Sequence, residues 1–184
     1  MYSSEQLLIR PAVKEDTDKM LEIYTPYIFK TPITFEYDVP SSKIFQQRIM
    51  KIEEKYPVLV ILRDNCLLGY AYISEFRSRA AYTWVAETSI YLSEDARGLG
   101  LGHALYDRLE SIAQAMVIRQ LYAVITVPNP ESEEFHKSCG YQLCGILPDC
   151  GFKDGQWHGV GYYRKVIHEL SVHPQPLRPW RTCL

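Results

Sequence analysis

The sequence predicts an α/β (α+β) chain: one domain built on a mixed, mostly antiparallel central sheet flanked by helices. Three observations predict it. Short apolar runs rich in β-branched residues alternate with segments of helical periodicity. Two of those runs, Pro57–Leu62 and Cys66–Ile73, are joined by the turn signal Arg63-Asp64-Asn65 and read as a hairpin. A glycine-rich turn then joins the longest strand to a helix, Leu101–Met116. At 184 residues, 47% apolar and 23% charged, the chain suffices for one ordinary domain with its own core.

In order, Gln6–Arg10 reads as a first strand. Lys14–Ile28 has helical spacing, with Asp16 or Thr17 as its cap and Pro26 as a break or a bend. Lys30–Pro40 reads as a loop carrying Phe35 and Tyr37. Ser41–Lys55 reads as a second helix, capped by Ser41 or Ser42, with Ile44, Phe45, Ile49 and Ile52 inward. After the hairpin and the polar connection Arg77–Ala81 comes the strand Tyr82–Leu92. Trp84, Ala86, Thr88, Ile90 and Leu92 share one of its faces, and Val85, Glu87, Ser89 and Tyr91 the other. A strand Gln120–Val127, a short helix Glu131–Ser138 and two closing strands, Tyr141–Leu147 and Trp157–Val166, complete the domain, residues 1–167. The proline-rich residues 168–184 read as a tail.

Composition excludes several classes. The net charge of −2 and the absence of a basic cluster argue against nucleic acid as a partner. No run approaches the ~18 apolar residues of a membrane span, and Met1–Arg10 lacks the pattern of a secretory signal. Five cysteines without CxxC spacing and five scattered histidines argue against a disulfide framework or a metal site. A cytoplasmic location, with no membrane partner and no metal, is the expectation.

Arg97-Gly98-Leu99-Gly100-Leu101-Gly102 follows a strand and opens a helix, so its free amides and the helix dipole form an anion cradle. A flexible turn that merely tolerates glycine is the simpler alternative. Neither a P-loop nor a dinucleotide fingerprint fits: His103-Ala104 replaces the Lys-Ser/Thr ending, the spacing is GxGxG, and the turn comes about halfway along the chain. That argues against a nucleotide-dependent oxidoreductase. Glu87, the only charged residue of its strand, needs a reason to be there. It is either a base or, more simply, a solvent-facing residue or an ion pair with an arginine such as Arg79. Asn129 has the position of a helix N-cap.

The Arg97–Gly102 loop resembles the pyrophosphate loop of the GCN5-related N-acetyltransferases (GNAT). Asn129, Ser132, Phe135, His136, Gly140 and Tyr141 resemble the same family's later motif. Ile9-Arg10-Pro11-Ala12, Arg79 to Trp84, Val85 to Tyr91, and Trp157 to Gly161 look like the phosphinothricin N-acetyltransferase subfamily. The resemblance covers Leu8 to Val166. It implies transfer of acetyl from acetyl-CoA, a cosubstrate, to the amino group of a small molecule such as phosphinothricin, methionine sulfone or methionine sulfoximine, by a homodimer. It implies Glu87 as catalytic base and His136, where many relatives have tyrosine, as a second catalytic group. A helix-surface histidine without a role is the alternative for His136. Ile90, Tyr91, Leu92, Arg97, Gly98, Leu99, Gly100, Leu101, Gly102, Asn129 and Ser132 would bind the cosubstrate, and Phe35, Arg79 and Tyr82 the acceptor. Two other functions stay open: acetylation of a protein or peptide amine, which needs a wide groove, and a non-catalytic acyl-CoA-binding module, which needs no base.

Overall fold

The computed structural model describes residues 7–169 and 171–184. Gln6, the first residue of the expected first strand, lies outside them. One seven-stranded sheet runs in the order β1-β2-β3-β4-β5-β7-β6. Its strands are β1 (Leu7–Pro11), β2 (Val58–Arg63), β3 (Cys66–Glu75), β4 (Val85–Leu92), β5 (Gln120–Val127), β6 (Gln142–Lys153) and β7 (Gln156–Val166). All neighbours are antiparallel except β4 and β5. The helices are α1 (Thr17–Lys30), α2 (Ser42–Glu53), α3 (Leu101–Ala115) and α4 (Pro130–Ser138).

Strand alternation sorts the core into two layers. Leu59 and Ile61 of β2 point to one face with Ala71, Ile73, Ala86, Leu121 and Ala123, where Leu105, Leu109 and Ile112 of α3 cover them. Val58, Val60 and Leu62 point to the other, against Met20, Ile23, Tyr24 and Ile28 of α1 and Phe45 and Ile49 of α2. β2 is buried on both faces, so it reads as an unbroken apolar run rather than an alternating one.

Several boundaries differ from the sequence reading, each for a physical reason. Pro26 does not end α1, which continues to Lys30. An interior proline costs about 3 kcal/mol, but Tyr27 and Ile28 beyond it are buried against the sheet, and their burial offsets that cost. Asp16 is the α1 N-cap residue, yet its carboxylate makes no cap bond; it accepts two hydrogen bonds from Arg10 and one from the Val13 amide. Ser41 caps α2, and Ile44 faces solvent rather than the core. β4 starts at Val85, because Ala80–Tyr82 coil into a 3-10 turn closed by the Thr83 hydroxyl donating to the Ala80 carbonyl. β6 runs on past Leu147 to Lys153, through register shifts that absorb Pro148.

The tail folds back over the α3 face. The Trp84 indole donates to the Gln175 carbonyl, and the Arg178 amide to the carbonyl of Met116 at the end of α3. Trp180, 2% exposed, is buried beside the end of α2 and donates to the Glu53 carbonyl.

Candidate active site

The site begins with a mismatch in the sheet. β4 and β5, the parallel pair, are in register only from Val85↔Gln120 to Thr88↔Ala123, although both strands continue. Beyond Thr88 they part. The wedge between them is a cleft of about 70 Å³ walled by Ser89, Ile90 and Tyr91 on one side and Val124, Ile125 and Thr126 on the other, with Asn129, Ser132 and His136 of the α4 segment closing it. The Ser93 amide bonds the Leu68 carbonyl on β3, so alternation turns the amides of Leu92, Ile90 and Thr88 away from β3. Leu92, an expected cosubstrate contact, has both backbone groups held by the Tyr27 hydroxyl, which donates to its carbonyl and accepts from its amide. Ile90 thus presents to the cleft a backbone edge without a strand partner among the described residues, where an extended amide chain can add as a strand.

At the end of β4 the chain turns into α3. Gly98 and Gly100 have φ of +72° and +75°, with nothing within 4 Å of where a Cβ would stand. These left-handed positions suit glycine. Gly100 is the α3 N-cap residue and has no side chain with which to cap the helix. The amides that follow have no intrahelical partner. Leu99 is exposed and Leu101 buried, so of the two loop leucines only Leu101 anchors the turn to the core. The Arg97 guanidinium lies over the Tyr27 ring, 5.3 Å from its centroid.

Asn129 caps α4, its Oδ1 accepting from the Ser132 amide. Its Nδ2 is buried without a partner among the described residues. That orphan donor belongs to a residue lining the cleft and fits a ligand carbonyl. The N-cap role and the ligand role are therefore both open to one side chain.

Glu87 lies on the opposite face of β4 from Ala86 and Thr88, in register with Ser74 of β3 and Tyr122 of β5. No hydrogen bond or ion pair to it is seen among the described residues, so the expected alternative of an ion pair with Arg79 is not found. Burial raises the pKa of its carboxyl, and the nearby Arg77 guanidinium offsets this only in part. Aromatic residues surround this face: Phe76 stacks on Tyr122 at 4.8 Å and packs edge-on against Tyr82 at 6.0 Å.

His136 lines the cleft from the α4 side and is 4% exposed, so it is not a surface histidine. Its Nδ1 lies 2.7 Å from the Ser132 carbonyl, which can only accept, so Nδ1 carries the proton. Nε2 then accepts from the Tyr106 hydroxyl at 3.0 Å. Burial pulls the imidazole down to about 4, against the weaker pull of the Ser132 carbonyl. At neutral pH the ring is therefore uncharged, with both nitrogens engaged.

The acceptor candidates fall in two places. Phe35 rises beside His158 at 6.3 Å, next to the β6–β7 hairpin. Arg79 and Tyr82 border a separate cleft of about 440 Å³ formed with Arg77 and the returning tail. Tyr106, Tyr122 and Phe76 were absent from the residues picked out by sequence. Tyr106 belongs to the buried stripe of α3, where only the fold shows its hydroxyl meeting His136.

Among known proteins, the profile of the acetyltransferase (GNAT) domain matches residues 9–159. The chain belongs to the GNAT acetyltransferases. A GNAT phosphinothricin acetyltransferase from Sinorhizobium meliloti, solved in complex with acetyl-CoA, superposes with a TM-score of 0.84 at 36% identity, covering 87% of this chain and 88% of that one. The phosphinothricin N-acetyltransferase of Streptomyces viridochromogenes is 32% identical over 93% of each chain. The L-methionine sulfoximine/L-methionine sulfone acetyltransferase of Salmonella typhimurium is 28% identical over 90% of this chain and 98% of that one. This GNAT chain is an acetyl-CoA-dependent N-acetyltransferase. Among the described residues no helix is long and apolar enough to cross a membrane, and no group of three or more His, Cys, Asp or Glu residues could hold a metal ion.

Proposed function

We propose that this chain acetylates the α-amino group of a small, polar amino acid of the phosphinothricin or methionine sulfoximine type. The observation that carries the reading is Glu87: a half-buried carboxylate with no hydrogen-bond or ion-pair partner among the described residues, one strand position from the splayed cleft. The cosubstrate supplies an activated acyl group as a thioester. The protein supplies four things. The amides opening α3 hold the pyrophosphate, aided by the helix dipole. The Ile90 edge and the Asn129 Nδ2 hold the pantetheine arm. Glu87, directly or through a water, takes the proton that keeps an ammonium from attacking. The Tyr106–His136–Ser132 chain keeps a neutral, oriented imidazole at the back of the cleft. A proton on the leaving thiolate is not drawn from an imidazolium there, because burial keeps that ring uncharged.

The acceptor side rests on Phe35, with Arg79 and Tyr82 serving a carboxylate or phosphinate from the neighbouring cleft. Arginine pairs with such groups bidentately. The test is thiol release from acetyl-CoA across a panel of phosphinothricin, methionine sulfone, methionine sulfoximine, ordinary amino acids, polyamines and short peptides. Turnover concentrated in the amino-acid analogues supports the reading. Turnover with peptides alone moves the acceptor to a protein amine, and acetyl-CoA binding without any turnover makes the chain a binding module.

The reading includes a homodimer. β6 is an outer strand of the sheet, and Leu143, Ile146, Leu147 and Phe152 on it are exposed, as is Trp157 (62%) on β7. A long apolar edge of this kind is a template for pairing, and a second copy offers the same edge in return. Light scattering at twice 21.4 kDa supports this, and a monomer at assay concentration removes it.

A further inference from the structure

Lys153 ends β6 at the tip of the outer hairpin, and its side chain points inward. It is 2% exposed, among the most buried residues of the chain. No carboxylate pairs with it among the described residues. Instead its Nζ donates to three main-chain carbonyls: Ile28 at 2.7 Å, Thr31 at 2.9 Å and Thr34 at 2.6 Å. An ammonium has three N–H bonds, so each is used once. A lysine is almost never buried without such compensation.

All three acceptors lie where α1 ends and the segment 31–38 begins. Ile28 belongs to the last turn of α1, whose free carbonyls and dipole favour a cation. The segment that follows has no helix or strand to hold it, yet it carries residues to both sides of the site. Ile33 lines the cleft between β4 and β5, and its carbonyl accepts from Thr126. Phe35 lies so close over Gly151 that a Cβ there would stand 2.1 Å from its ring. The Tyr37 hydroxyl donates to the Phe152 carbonyl, and His158 meets the Lys153 carbonyl at 3.1 Å. The hairpin tip is thus clasped to the segment by one cation, one hydroxyl and one aromatic seat.

We propose that Lys153 is the positioning residue that sets the roof of the acceptor pocket: its ammonium gathers three carbonyls of an otherwise irregular segment and so places Phe35 over the acceptor. This rests on the acceptor reading above but makes a separate claim, that selectivity for the acceptor is governed by a residue that touches neither substrate. Displacements of about 1 Å in a positioning element cost on the order of 100-fold in rate, which is the scale expected here.

The experiment compares wild type, Lys153→Met, Phe35→Ala and the double variant. Two readouts are taken: amide hydrogen exchange of residues 31–38, and the KM for each substrate with the best acceptor of the panel. Lys153→Met should speed exchange in the segment by at least ~10-fold while β4 and α3 keep wild-type protection. It should lower acceptor kcat/KM by roughly 10- to 100-fold and leave the acetyl-CoA KM within about twofold. In the Phe35→Ala background the same change should add little, because the two act through one element. Unchanged exchange in the segment, equal losses for both substrates, or additive losses in the double variant each overturn the proposal. If Lys153→Met does not fold, Lys153→Gln, whose amide still reaches one carbonyl, should show the same pattern at smaller size; wild-type behaviour there overturns it as well. If the wild type acetylates nothing in the panel, the function reading has failed, and the exchange measurement alone decides the clasp.

Discussion

Glu87→Gln is expected to lower acceptor turnover by about 10²- to 10⁴-fold, the range of a general base, while acetyl-CoA still binds. The substitution keeps the volume and removes only the basic oxygen. The loss should be largest where the acceptor amine is protonated and should shrink as pH passes the amine's own pKa, since a free amine needs no base. The wild type should show one further limb. Burial holds the Glu87 pKa above the usual carboxylate value, so acceptor kcat/KM should fall as pH drops through that raised pKa, and the variant should lack that limb. Stability should move the other way. A carboxyl whose folded pKa is raised makes the ionised native state less stable above that pKa, and the penalty is relieved as pH falls. Glutamine carries no such penalty, so the variant should melt at or above the wild-type temperature at neutral pH. A pH–rate profile and a thermal melt check both halves. Wild-type turnover across the range would remove Glu87 from the chemistry.

Gly100→Val should raise the apparent acetyl-CoA KM by roughly 100-fold, the size of a misplaced positioning element, and leave the acceptor KM nearly unchanged. The cause is local. Gly100 has φ of +75°, a conformation costing a non-glycine residue ~1–3 kcal/mol, and most for a β-branched one. The turn must then either strain or swing its amides off the pyrophosphate. Around Gly100 there is open space rather than packing, so the core is not crowded and the protein should still fold. Initial rates at saturating acceptor, with acetyl-CoA varied, decide the matter. A wild-type KM would mean that the glycine turn does not hold the cosubstrate.

Most of the architecture was legible because the strands and helices follow their own periodicities. β4 shows it best: the alternation that places Ala86 and Thr88 on one face and Glu87 on the other is written in the residues. What was not legible depends on contacts distant in sequence. Pro26 reads as a break or a bend, and only the packing of Tyr27 and Ile28 on the sheet shows why the helix continues. The segment 168–184 reads as a tail with few apolar anchors, because Trp180 finds its place against Glu53, 127 positions away in the chain. β6 reads as short because proline and bulges interrupt its pattern.

The site divides along the same line. The glycine turn and Asn129 are local motifs: the turn follows β4 and opens α3, and Asn129 caps α4 and lines the cleft. Glu87 stood out as a charge in an apolar strand. The protonation of His136 could not be read, since it depends on Tyr106 thirty residues earlier and on burial by elements far apart in sequence. Lys153 is not marked in the sequence. Its three carbonyl partners are more than a hundred residues away, so no local pattern could have marked it.

In the proposed reaction an acyl group passes, in this cleft, from a thioester to the nitrogen of a small amino acid. The most direct measurement follows the acyl carbon itself: acetyl-CoA labelled in the acetyl group is incubated with the protein and methionine sulfoximine, and the label is located by NMR and intact-protein mass spectrometry. The expected product is an amide on the α-nitrogen of the amino acid, formed in step with free CoA thiol. Label that ends only as acetate, or on a cysteine or lysine of the protein, would contradict it.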